Sequence, residues 1–197
     1  AVRLAPARRI DDLSLLGDRA RHDEAASVRE LARQRYVQRL IDARVPRAER
    51  ERVLAVEEDS EILATVAQQA PEAALRQLAF ERVPRPGLLA DRCVTDPDPA
   101  LRRWLLDRIE DISTLERIAE RARKSDKLLS RTARERVQAA RLAAGDPAAT
   151  AERALAICEE LDSLRRTAAP GAPARREALA AEWDALRPRL DAAMERR

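Results

Sequence analysis

VRELARQRY begins at Val28, LRQLAFERV at Leu75, LRRWLLDRI at Leu101 and LSRTARERV at Leu129, and the four strings align without a gap. Position one is apolar in each. Position four is Leu31, Leu78, Trp104 and Thr132. Position five is Ala32, Ala79, Leu105 and Ala133, and position nine is Tyr36, Val83, Ile109 and Val137. Apolar residues at 1, 4, 5 and 9 return to one side of a 3.6-residue period, so each string reads as an amphipathic α-helix. The starts lie 47, 26 and 28 residues apart.

Ahead of each string stands a shorter helical stretch, LSLLGDRA, EILATVAQQA, GLLADRCV or STLERIAERA, joined to it by the turns HDEAAS, APEA, TDPDPA and KSD. Pro71, Pro97 and Pro99 fall at the start of a second helix, where proline is tolerated. Asp59 and Ser60 offer a cap for one unit. Ser113 with Glu116 forms a capping-box pattern for another. Helix–turn–helix units of this size cannot bury their apolar faces alone, so they stack.

The expectation is an all-α protein. A short HEAT-like α-solenoid fills 1–144, with units near 11–44, 58–84, 85–110 and 111–144 and an extra helix near 46–57. The tail, 145–197, reads as a coiled-coil-like helical hairpin. Gly145-Asp146-Pro147 ends the last repeat helix. Beyond it, Leu155, Cys158, Leu161 and Leu164 form a narrow stripe; the linker TAAPGAP follows, then a helix bearing Leu179, Trp183, Leu186, Leu190 and Met194. Ala1 is no initiator methionine and Arg197 lies within an amphipathic pattern, so a fragment of a longer protein is expected.

Composition agrees with the helical reading. Hydrophobic residues are 45% of the 197, but aromatics number only two Trp, one Tyr and one Phe, and the chain is rich in the helix formers Ala, Leu, Glu and Arg. Lys and Arg total 38 against 35 Asp and Glu, a net charge of +3. That balance lacks the basic excess of a typical nucleic-acid binder, although 99–140 is basic beside an acidic 58–98. No apolar run is long enough to span a membrane and no signal-peptide core opens the chain. Cys93 and Cys158 are isolated, which fits reduced thiols in the cytoplasm.

Position eight is arginine in every string: Arg35, Arg82, Arg108 and Arg136. Each shares the angular sector of an apolar position, so it needs a partner. An ion-pair ladder between repeats, with Asp111 or Glu57 to Asp59 as acceptors, is the favoured reading; a row of guanidiniums for phosphates or carboxylates is the other. Arg29, Arg76 and Arg102 at position two, and Arg103 and Arg131 at position three, sit further from the stripe. If the second helices line a concave side, Arg76, Arg102, Arg103 and Arg131 become candidate partner-binding residues, and so do Lys124 and Lys127, the only lysines. Trp104 and Trp183 read as packing residues.

His22 is the sole histidine, and no nucleophile motif stands near it. No zinc, calcium, Walker A or dinucleotide pattern is present, so no catalytic residue, metal or other cofactor and no small-molecule substrate is expected.

The stretch DPALRRWLLDRIEDISTLERIAERARKSDKLLSRTARERVQAA resembles the N-terminal helical region of bacterial proteins that carry the domain of unknown function 349. The shared elements are the arginine-bearing helix Arg102 to Ile109, the helix Asp111 to Ala119, the turn Lys124 to Lys127 and the helix Arg131 to Arg136. The leucine helix and the Trp183 helix are similar to the lead-in to that family's repeated helical domains, so the resemblance spans about 58–197. It implies a HEAT-like fold and no known reaction. A non-enzymatic scaffold for a protein partner, or for other domains of its own longer chain, is therefore expected first. RNA or DNA backbone binding through the second-helix arginines is the alternative. A HEAT-fold base-excision enzyme and a bare spacer stand behind these.

Overall fold

The computed structural model describes residues 12–83, 85–166 and 171–194. The stretch 1–11, Pro84, most of the TAAPGAP linker (167–170), the residues after 194 and the side chains of 191–194, Met194 among them, lie outside the described residues. What is described is all-α, with no strand: α1 (Leu13–His22), α2 (Ala26–Leu40), α3 (Arg47–Leu54), α4 (Ser60–Gln69), α5 (Ala73–Arg82), α6 (Pro86–Thr95), α7 (Pro99–Leu106), α8 (Ile112–Ala122), α9 (Lys127–Ala143), α10 (Pro147–Arg166) and α11 (Ala172–Met194).

The repeat strings fall on α2, α5, α7 and α9, and their face is the core. Positions one, five and nine are buried in all four strings, from Val28, Ala32 and Tyr36 to Leu129, Ala133 and Val137. Position four is only half-buried in each, so Trp104 flanks the core rather than filling it. Aspartates start most of the helices. Asp12, Asp59, Asp98, Asp111 and Asp126 each accept hydrogen bonds from first-turn amides through their side chains. The cap of α8 is thus Asp111, two residues ahead of the Ser113–Glu116 box; Ser113 Oγ donates to the Asp111 carboxylate at 2.7 Å, and Glu116 bonds Arg141 of α9 instead.

The chain divides into two compact units, one ending at Glu110 and the other beginning at Asp111. The sequence boundary at 144/145 falls inside the second unit, because α9 packs on α10 as well as on α8.

In the first unit, consecutive helices pair as α1–α2, α4–α5 and α6–α7, the pattern of a helical repeat arrangement. The extra helix α3 does more than fill a gap. It packs on α1 and on α5, while α4 packs on α2. Two rows result, α1–α3–α5 and α2–α4. One inserted helix therefore puts the repeat strings of α2 and α5 in different rows, and second helices do not share one face here as the sequence reading required.

In the second unit, Gly145 at φ +75° ends α9. Its amide bonds the Leu142 carbonyl, and the Asp146 amide reaches back to the Arg141 carbonyl. This crossed pair is a Schellman stop that needs the left-handed backbone glycine supplies. Asp146 then opens α10, accepting the Ala149 amide at 2.9 Å. The hairpin α10–α11 closes on Ile157, Leu179 and Leu186, with Leu142, Leu161, Leu164 and Trp183 against them. The first half of the expected stripe is turned by about one residue, since Leu155 is 67% exposed and Cys158 is exposed too, while Leu161 and Leu164 lie on the core side. Leu142, and a bond from Arg189 Nη1 to the Leu142 carbonyl at 2.9 Å, join α11 to α9.

Candidate functional site

Three of the helix–turn–helix joints have turns of equal length: 23–25, 70–72 and 96–98. In each, the arginine at position two of the following helix folds back onto the turn. Arg29 Nη1 donates to the carbonyls of Asp23 at 2.7 Å and Glu24 at 3.1 Å. Arg76 Nη1 donates to those of Ala70 at 2.8 Å and Pro71 at 2.9 Å. Arg102 Nη1 donates to that of Asp96 at 2.7 Å. Asp23, Ala70 and Asp96 are the C-caps of α1, α4 and α6. A helix end leaves carbonyls without partners and concentrates negative charge there, so a guanidinium is well matched to it. The α8–α9 turn is one residue longer. There position two is Ser130, whose hydroxyl reaches the Ala119 carbonyl at 2.6 Å.

Two of these candidates meet at one residue. Asp96 is 1% exposed and Arg76 3%. Arg76 forks onto the Asp96 carboxylate, Nε to Oδ2 at 2.8 Å and Nη2 to Oδ1 at 2.7 Å. Arg92 Nη2 adds a bond to Oδ2 at 2.8 Å and the Asp98 amide one to Oδ1 at 2.9 Å, while Arg102 holds the backbone carbonyl. Burial pushes the Asp96 carboxyl up, but the Arg76 fork, the Asp98 amide and Arg92 outweigh it and hold the group below the ordinary carboxylate range. Asp23 repeats part of this pattern, taking Arg19 at 2.8 Å and the Ala25 amide at 3.1 Å. The signal lies in the sequence: LLGDRARHD at 15–23 matches LLADRCVTD at 88–96 in the arginine four residues before the aspartate.

Arg76 and Arg102, expected on a partner-binding face, are thus internal clasps. Arg103 is exposed on α7. Arg131 is exposed and 3.5 Å from Glu135, and Lys124 and Lys127 are exposed at the α8–α9 turn.

Position eight does not form a uniform ladder. Arg82 does bridge helices, donating to the carbonyls of Ala55 and Glu57 at the end of α3. Arg108 instead lies 3.4 Å above the Trp104 ring, a cation–π stack on the surface. Arg35 and Arg136 are half-buried. Asp111, expected as a rung, is spent capping α8; bonds from Thr114 and Ser113 hold its carboxyl low. The sequence reading missed Arg50, 1% exposed, which forks onto Glu72 at 2.9 and 2.5 Å and ties α3 to the start of α5.

Open grooves run between the helices. One of about 600 Å³ between α3 and α5 has Glu51, Glu81 and Arg52 around Ala55 and Leu78. One of about 340 Å³ between α2 and α4 has Glu30, Glu61 and Arg33 around Val37. In the second unit, one of about 470 Å³ along α8, α9 and α10 carries Glu116, Glu120, Glu135 and Glu152 against Arg134. Each has more carboxylates than guanidiniums.

Among the described residues no three His, Cys, Asp or Glu side chains converge as metal ligands, and no helix is long and apolar enough to cross a membrane. Comparison with known proteins gives no match: no family model, no curated protein and no solved structure is similar to this chain.

Proposed function

We propose that the chain is a HEAT-like helical-repeat scaffold, cytoplasmic and without a reaction of its own, that binds a protein partner presenting basic side chains. The observation that carries this reading is the distribution of charge. The position-two arginines fold onto the turns, and carboxylates outnumber guanidiniums along the linings of the grooves described above. Several of these carboxylates already pair with arginines beside the grooves, Arg47 with Glu51, Arg85 with Glu61 and Arg141 with Glu116, so a partner's lysines and arginines would exchange into existing ion pairs. The apolar groove floors offer the contact area that charge alone does not. An exposed thiol at Cys158 suits a reducing compartment. The resemblance to the helical region of proteins with the domain of unknown function 349 adds a lineage to this reading but no substrate.

The test is direct. The purified chain is titrated with mixed RNA, with duplex DNA and with basic polypeptides, at low and near-physiological salt. The scaffold reading expects nucleic-acid binding to vanish at near-physiological salt and peptide binding to weaken on Glu120→Lys with Glu135→Lys. The second reading, backbone binding to RNA or DNA, draws on exposed Arg103, Arg131, Lys124 and Lys127. Micromolar nucleic-acid binding that survives salt and falls on Arg103→Glu with Arg131→Glu would establish it and overturn the first.

A further inference from the structure

The turn between α3 and α4 buries a carboxylate whose bonding the fold leaves half complete. Glu57 is 2% exposed. Its Oε1 accepts the amides of Glu58 and Asp59, both at 3.0 Å, and so shapes the turn. Its Oε2 is buried without a hydrogen bond. Arg21 Nη2 stands 3.9 Å from it, too far for one. Both side chains border a cavity of about 230 Å³ formed by α1, α2 and this turn, with the Tyr36 ring, Glu58 and Asp59 also on its lining, together with Arg33, which is paired with Asp59.

A buried anionic oxygen without a donor is costly. Shaping the turn explains Oε1 alone, and a glutamine would serve there as well. The missing group is a cationic N–H donor, and its type follows from how this protein uses arginine. Arg76 on Asp96, Arg50 on Glu72, Arg153 on Glu182 and Arg175 on Glu160 all fork across two oxygens. Glu57 offers only one, since backbone amides hold the other. A single acceptor suits the point charge of an ammonium better than a fork, and an aromatic wall favours the same ion. Burial, then the charge of Glu57 and the approach of the phenol hydroxyl to its carboxylate, push the Tyr36 phenol well above its ordinary value, with Arg21 only partly opposing them. The hydroxyl therefore stays neutral beside a carboxylate whose Oε2 it does not reach in hydrogen-bond geometry. Arg21 is the gate. Its side chain is 46% exposed and lies across the bare backbone at Gly17, where an added Cβ would come within 2.9 Å of Nη2.

We propose that this cavity binds a primary ammonium group on Glu57 Oε2 against the Tyr36 ring, with Arg21 swung aside. The ammonium belongs either to a lysine of a partner protein or to a free small amine. The lysine source rests on the scaffold reading; the free amine does not.

Tyr36 is the only tyrosine of the chain, so its ring resonances report on the site without ambiguity. The full chain is titrated by NMR with n-butylammonium chloride, against sodium chloride of equal ionic strength. The expected result is a saturable Tyr36 shift, with affinity about tenfold weaker in Glu57→Gln. Arg21→Met should bind more tightly, and the lining variant Glu58→Gln should stay within about twofold. A second titration uses Nα-acetyl-lysine amide: tighter binding than butylammonium assigns the site to a partner's lysine, weaker binding to a free amine. No saturable shift with either probe, or equal binding in Glu57→Gln, overturns the proposal. Should Glu57→Gln not fold, Arg21→Met decides by its sign: unchanged or weaker binding overturns it. Butylammonium binding in a chain that holds no basic polypeptide would remove the scaffold reading and leave this site standing.

Discussion

Arg76 carries the largest single share of the clasp account. It satisfies two turn carbonyls and forks onto a buried aspartate. Replacing it strands Asp96 with Arg92 as its remaining cation. Arg76→Leu is therefore expected to cost about 3–5 kcal/mol, the range for breaking a buried pair from one side. Arg29→Leu and Arg102→Leu, which lose bonds to turn carbonyls, should cost about 1 kcal/mol each. Urea midpoints at pH 7 check all three. The sequence singled out position eight for partners because it shares the sector of an apolar position, and placed the position-two arginines on an outer face because they stand further from the stripe. A helical wheel also misleads there. It shows the angle of a side chain and not its reach along the axis, and a long arginine one step off the apolar stripe can still reach the carbonyls five and six residues behind it.

At the scale of the element, helices and their ends were largely legible. Proline at the start of α7 and glycine after α9 stand where the spacing placed them. The Gly145 stop predicts that Gly145→Ala costs about 1 kcal/mol, because a Cβ is strained at that φ. The face of α10 was harder to read. Ala154 with Ile157 and Leu155 with Cys158 both lead into Leu161 and Leu164, and the sequence reading selects the pair that begins on leucine. α10 packs on both α9 and α11, so the face that serves two neighbours, through Ala149, Ala154 and Ile157, is the buried one. Ile157→Ala should cost about 2–4 kcal/mol, while Leu155→Ala should stay within about 0.5 kcal/mol. Thermal melts of the two variants separate the two readings.

At the scale of the molecule, four aligned strings and a 47-residue gap were enough to announce an all-α repeat with one helix extra. They could not say which row the extra helix joins, because that depends on contacts α3 makes with α1 and α5, far apart in sequence. Of the candidate arginines, Arg76 and Arg102 fold onto their turns, while Arg103 and Arg131 stay exposed.

Acid stability follows from the same pairs. Asp96, Glu72, Glu160 and Glu182 are held below their ordinary values of 3.8 for Asp and 4.5 for Glu, and Asp42, bonded by Arg44, lies near 2. A carboxyl held low in the folded state stabilises it fully above the unfolded value and progressively less as pH falls through the folded one. Stability should therefore be flat from pH 7 to about 5 and fall below about 4.5, with a shallower acid limb in Asp96→Asn. Urea midpoints at stepped pH test this.

The central claim is that the position-two arginines hold the turns rather than a ligand. It is tested most directly by measuring urea stability and RNA binding side by side for the parent chain and for Arg29→Gln, Arg76→Gln and Arg102→Gln. The account predicts lower midpoints for all three, deepest for Arg76→Gln, with RNA binding at near-physiological salt absent throughout. Three variants as stable as the parent, together with RNA binding that the parent shows and they lose, would contradict it.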